Sequence, residues 1–118
     1  MDLAGIWDFI IEQGATFTRT ILWQDSDGVA RDVTAYSFRM SIRPTAESDT
    51  VIATTEGDSA NITITKPGGS GLITVTITAA NTTTLDFTRA VYDIEAVDGT
   101  TVLRVLQGEV KLSKGVTR

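Results

Sequence analysis

Asp93 and Glu95 stand two residues apart in Val91-Tyr92-Asp93-Ile94-Glu95, so on a strand both carboxylates project from one face. Paired carboxylates are the equipment of glycoside hydrolysis, which also needs a cleft and a raised pKa on one partner. Their neighbours Val91 and Val97 imply no sugar-binding groove. The pair reads instead as a solvated strand face, its repulsion relieved by Arg89 or Arg104 on a neighbouring strand. Asp25, Asp27 and Gly28 have the start of a calcium loop, but Val29, Ala30 and Arg31 follow and bring no further oxygen ligands. A plain hairpin turn is expected there. The glycine-rich run Lys66 to Gly71 has its lysine before the glycines and a β-run after them, the reverse of a phosphate-binding loop. Asn61-Ile62-Thr63 and Asn81-Thr82-Thr83 have glycosylation spacing, which a chain this rich in threonine produces by chance.

The absent residues are as informative. With no histidine and no cysteine, the chain cannot build imidazole-based triads, thiol nucleophiles, Cys/His zinc sites or disulfide scaffolds. No catalytic residue, metal ligand or cofactor site is therefore expected. A net charge of −5 argues against nucleic acid, which selects a basic face. No run approaches the roughly 20 apolar residues of a membrane-spanning helix, and no basic, apolar leader opens the chain. Synthesis in a cytoplasm and no membrane partner are the expectations.

Side chains so poor in chemistry must serve through the surfaces they build. The 118 residues suit one domain, expected over 1–118. They include 20 threonines, 11 isoleucines and 10 valines, stiff β-branched residues that suit pleated surfaces. Tyr36 to Arg43 alternates apolar and polar without exception, which is the period of a half-buried strand. Further strands are expected at Thr16 to Trp23, Ala60 to Thr65, Leu72 to Thr78, Ala90 to Val97 and Thr101 to Leu112, the last covered on both sides or bulged near Gly108. Thr78 to Phe87 alone accommodates a helical turn. Asp27-Gly28 and Asp98-Gly99 carry hairpin signals. The expected core is Phe17, Ile21, Trp23, Phe38, Met40, Ile42, Ile62, Ile64, Ile73, Val75, Ile77, Tyr92 and Ile94. About seven or eight short strands with frequent turns read as an all-β antiparallel sandwich.

Three stretches go further: Ile11-Glu12-Gln13-Gly14-Ala15-Thr16-Phe17; Asp32-Val33-Thr34-Ala35-Tyr36 leading to Met40-Ser41-Ile42-Arg43; and Val91-Tyr92-Asp93-Ile94-Glu95 with Asp98-Gly99-Thr100, Leu106-Gln107-Gly108 and Val116-Thr117-Arg118. Together they resemble small structural proteins of tailed bacteriophages, including the immunoglobulin-like module of upper baseplate proteins. The resemblance implies an immunoglobulin-like topology without the disulfide of antibody domains. It also implies a non-enzymatic virion component in a baseplate, tail or neck, with other virion proteins as partners and an oligomer or symmetric assembly. Capsid decoration is the alternative station. A carbohydrate- or receptor-binding sandwich is the alternative class, against which the nearly aromatic-free loops count.

Residues 1–12 are expected as a docking segment or an edge strand. They contain an apolar cluster whose exposure a monomer would avoid. Leu3, Ile6, Trp7 and Phe9 are accordingly the candidate partner contacts.

Overall fold

The computed structural model describes residues 5–25, 27–58, 60–66 and 71–115. Among them run β1 (Gly5–Ile6), β2 (Phe9–Glu12), β3 (Phe17–Leu22), β4 (Ser37–Arg43), β5 (Ala53–Thr54), β6 (Thr63–Thr65), β7 (Leu72–Ile77), α1 (Ala79–Thr83), β8 (Arg89–Asp98) and β9 (Thr101–Ser113). Nine described strands exceed the expected seven or eight because two are only two residues long and the N-terminal run is split in two. One sheet has the order β1-β9-β8-β4-β5, with β2 also on β9; the other has the order β3-β7-β6. These are the strand neighbours of an immunoglobulin-like β-sandwich, with the N-terminal run pairing parallel to the last strand.

Alternation explains the core. Met40 and Ile42 of β4, Ile73, Val75 and Ile77 of β7, and Tyr92 and Ile94 of β8 point between the sheets and are buried. Of the expected core, only Phe38 and Ile64 are partly exposed, and both still pack against it. Strand β6 is shorter than the expected Ala60 to Thr65 because Asn61 is used in a turn. Its Oδ1 accepts the Thr54 N–H at 2.8 Å and its own N–H donates to the Thr54 carbonyl at 3.0 Å.

The bulge in the last hairpin lies elsewhere than expected. Ile94 pairs with Leu106 and Glu95 with Arg104, so Val105 has no opposite residue and both Val105 and Leu106 are buried. That accounts for the doubly apolar stretch. Gly108 instead permits a close approach: a Cβ there would meet the Trp7 carbonyl oxygen and stand 2.9 Å from Asp8 Oδ1. The β8–β9 loop is Gly99-Thr100, with Asp98 paired to Thr101. Gly99 has φ +59° at the first loop position, where a II′ turn requires glycine.

The corner between β2 and β3 is tied by side chains. Gln13 Nε2 donates to the Leu85 carbonyl at 2.8 Å, and Gln13 Oε1 accepts the Gly115 N–H at 3.3 Å. Thr82, on α1, donates to the Ala15 carbonyl at 2.8 Å and accepts from Gly14 N–H at 3.1 Å. The helical turn expected between β7 and β8 forms, capped by Thr78, whose side chain accepts the Asn81 N–H. Its work is to hold the Gln13-Gly14-Ala15 turn.

Candidate functional site

The N-terminal run lies along the outer side of β9 in one register, from Gly5 opposite Leu106 to Glu12 opposite Ser113. Trp7 N–H donates to the Gln107 carbonyl at 3.0 Å and Gln13 N–H to the Ser113 carbonyl at 2.9 Å. Odd residues therefore turn their backbone toward β9. Even residues (Ile6, Asp8, Ile10 and Glu12) direct theirs to the open edge of the sheet. The ladder is interrupted at Trp7 and Asp8, where Asp8 Oδ1 takes the Glu109 N–H at 2.9 Å. The Trp7 carbonyl accepts the Tyr92 hydroxyl. Burial, and secondarily the Asp8 carboxylate, raises the Tyr92 pKa, so this hydroxyl stays a donor.

The same period sorts the candidate contacts. Ile6 is 78% exposed and Trp7 40%, and Ile10, which was not among the candidates, is 57% exposed. Leu3 lies outside the described residues. Phe9 requires a correction: at 1% exposure it belongs to the core. Its ring stacks on Tyr92 with centroids 4.5 Å apart and meets Phe17 at 5.4 Å. The physical reason is parity. Phe9 and Ile11 share the inward face, while Asp8 and Glu12 mark the outward one. Trp7 shares the inward parity but is 40% exposed, its ring edge-on to Phe9 at 5.3 Å. The alternation Ile6-Trp7-Asp8-Phe9-Ile10-Ile11-Glu12 contained the signal that would have replaced Phe9 by Ile10.

The outer face of the larger sheet holds the carboxylate pair. Arg39 Nε lies 2.6 Å from Glu95 Oε1 and Arg104 Nε 3.6 Å from Asp93 Oδ2. Of the two arginines expected to relieve the pair, Arg104 does so, reaching diagonally from its register position opposite Glu95. Arg89 pairs with Glu109 at 3.3 Å instead. Desolvation, and then the Glu95 charge, raises the Asp93 pKa against the opposing pull of Arg104, Arg43 and Arg39. Asp93, Ser41, Arg43, Arg104 and Gln107 line a shallow groove of about 460 Å³, with Ile6 at its rim. The arrangement is a ladder of ion pairs running across three strands, and each carboxylate is answered by a guanidinium.

The Asp25 carboxylate of the first loop is engaged by the backbone of its own turn. Asp25 Oδ1 accepts the N–H groups of Asp27 and Val29 at 2.9 and 3.0 Å, and Gly28 takes φ +82°. This is a capped turn. Among the described residues no group of three or more His, Cys, Asp or Glu could hold a metal ion.

No protein-family model matches the chain, and no curated protein matches it. Among solved structures the chain is similar to a chain of the ZIG-8–RIG-5 IG1–IG1 heterodimer, with 10% identity, 93% of this chain and 82% of that chain covered, and a TM-score of 0.44. The immunoglobulin-like assignment itself follows from the order and pairing of the strands.

Proposed function

We propose that the chain is a non-enzymatic structural module of a tailed-bacteriophage virion, an assembly component of a baseplate, tail or neck that docks other virion proteins. The observation that carries the assembly role is the β1–β2 edge. It presents Ile6, Trp7 and Ile10 to solvent beside backbone groups that no other described strand pairs, in a segment anchored by the buried Phe9 and Ile11. An anchored strand with exposed apolar residues offers a partner a rigid surface and needs little ordering on binding. The virion assignment is supported by the sequence resemblance. The non-enzymatic assignment is supported by the lack of imidazole and thiol and by the arginine partners of Asp93 and Glu95.

A carbohydrate-binding sandwich is less well supported, because Phe9, Phe17, Trp23 and Tyr92 are in the core and Tyr36, Phe38 and Phe87 pack against it. Mass spectrometry of purified particles tests the proposal. The protein is expected in the particle at a low copy number set by tail symmetry. Hundreds of copies would move it to the capsid surface, and absence from particles would overturn the proposal.

A further inference from the structure

Strand β3 is an open edge of the smaller sheet: it pairs with β7 over six unbroken register positions and with no other described strand. Among the described residues the other edge strands are shorter, two residues in β1 and in β5, three in β6 and four in β2, and the β1–β2 run is broken at Trp7 and Asp8. The direction of its free groups follows from one bond. Trp23 N–H donates to the Gly71 carbonyl at 2.8 Å, on the β7 side. By alternation Phe17, Arg19 and Ile21 also turn their backbone to β7, and Thr18, Thr20 and Leu22 turn theirs to the open side. No proline or bulge interrupts that edge.

The face continuous with this edge has an unusual composition. Thr18, Thr20 and Leu22 stand opposite Thr76, Thr74 and Leu72, and Thr63 and Thr65 complete the outer surface of the sheet. All eight side chains are uncharged, in a chain of net charge −5 whose other sheet carries a ladder of ion pairs. Two copies can approach here without opposing like charges. An antiparallel pairing centred on Thr20 places it opposite its own copy and Thr18 opposite Leu22. Every outward-turned backbone group of β3 then meets an outward-turned group of the second strand. One residue resists. Arg19 Nη1 donates to the Thr18 carbonyl at 2.9 Å, and its guanidinium lies over the Phe17 ring at 4.8 Å. It thus occupies one of the edge acceptors and sets a charge beside the seam, a recognised guard of sheet edges.

We propose that the β3 edge is a strand-addition site for a second copy of this chain, pairing antiparallel about Thr20, with Arg19 as the latch that weakens the pairing. The inference is independent of the N-terminal edge and of the virion assignment. Sedimentation equilibrium on the full chain, the R19T variant, and the R19T/T20K double variant tests it. R19T is expected to dimerise about tenfold or more tighter than wild type. T20K, which sets two lysines against each other at the centre of the pairing from a solvent-exposed position, is expected to dissolve that dimer. Thermal unfolding confirms that each variant is folded. An R19T protein that stays monomeric at millimolar concentration, or a dimer that T20K leaves intact, overturns the proposal.

Discussion

Replacing Phe9 by alanine separates an anchored strand from a loose docking segment. The ring is 1% exposed, stacked on Tyr92 and in contact with Phe17. Its removal leaves an aromatic-sized void between two sheets whose positions are fixed by their ladders. Such a change costs about 3–5 kcal/mol. Trp7 is about three-fifths buried by the same measure, so Trp7→Ala should cost about 1–2 kcal/mol. Ile6, facing solvent, should fall within about 0.5 kcal/mol of wild type. The assay is equilibrium urea denaturation followed by tryptophan fluorescence for the Phe9 and Ile6 variants and by circular dichroism for all three. The slope m is expected to be unchanged, so that the midpoint alone reports stability. A Phe9→Ala variant within about 1 kcal/mol of wild type, or an Ile6→Ala variant as damaged as Phe9→Ala, would refute the inward–outward assignment of the segment.

Three further outcomes are expected. Gly108→Ala forces a methyl group against the Trp7 carbonyl and Asp8; it should cost about 1–3 kcal/mol and increase amide exchange at Trp7 and Glu109. Gln13→Ala leaves the Leu85 carbonyl without its buried donor, at about 1–3 kcal/mol by denaturation. Because burial raises the Tyr92 pKa above its ordinary 10.0, the contribution of that phenol to stability is intact below pH 10.0 and is lost as pH rises beyond it. Tyr92→Phe should therefore lose about 1 kcal/mol near neutrality and flatten the alkaline limb of the stability curve.

Much of the sandwich was legible because its strands are half-buried. Tyr36 to Arg43 and Leu72 to Thr78 alternate cleanly, and their inward residues form the core as expected. The N-terminal segment was harder to read. Its apolar residues fall on both faces, so Ile6 and Ile10 masked the inward set Phe9 and Ile11, and the polar markers Asp8 and Glu12 are only two. Parallel pairing with a strand a hundred residues away leaves no local turn signal either. Gln13 and Thr82 were equally hidden, since a buried polar residue is explained only by the carbonyls it meets, and those come from distant segments. At the carboxylate pair, the sequence spacing correctly placed Asp93 and Glu95 on one face. Register decided which arginine each received: Arg39 lies directly opposite Glu95, and the bulge at Val105 sets Arg104 within reach of Asp93.

Assembly through the outward residues of the N-terminal edge strand is the role proposed for this chain. The measurement that tests it most directly is the copy number, in purified particles, of an Ile6→Lys/Ile10→Lys double variant relative to wild type. Both side chains face solvent, so the variant should keep the wild-type unfolding free energy within about 0.5 kcal/mol. Loss of the folded variant from particles is the predicted result; incorporation at the wild-type copy number would contradict the account.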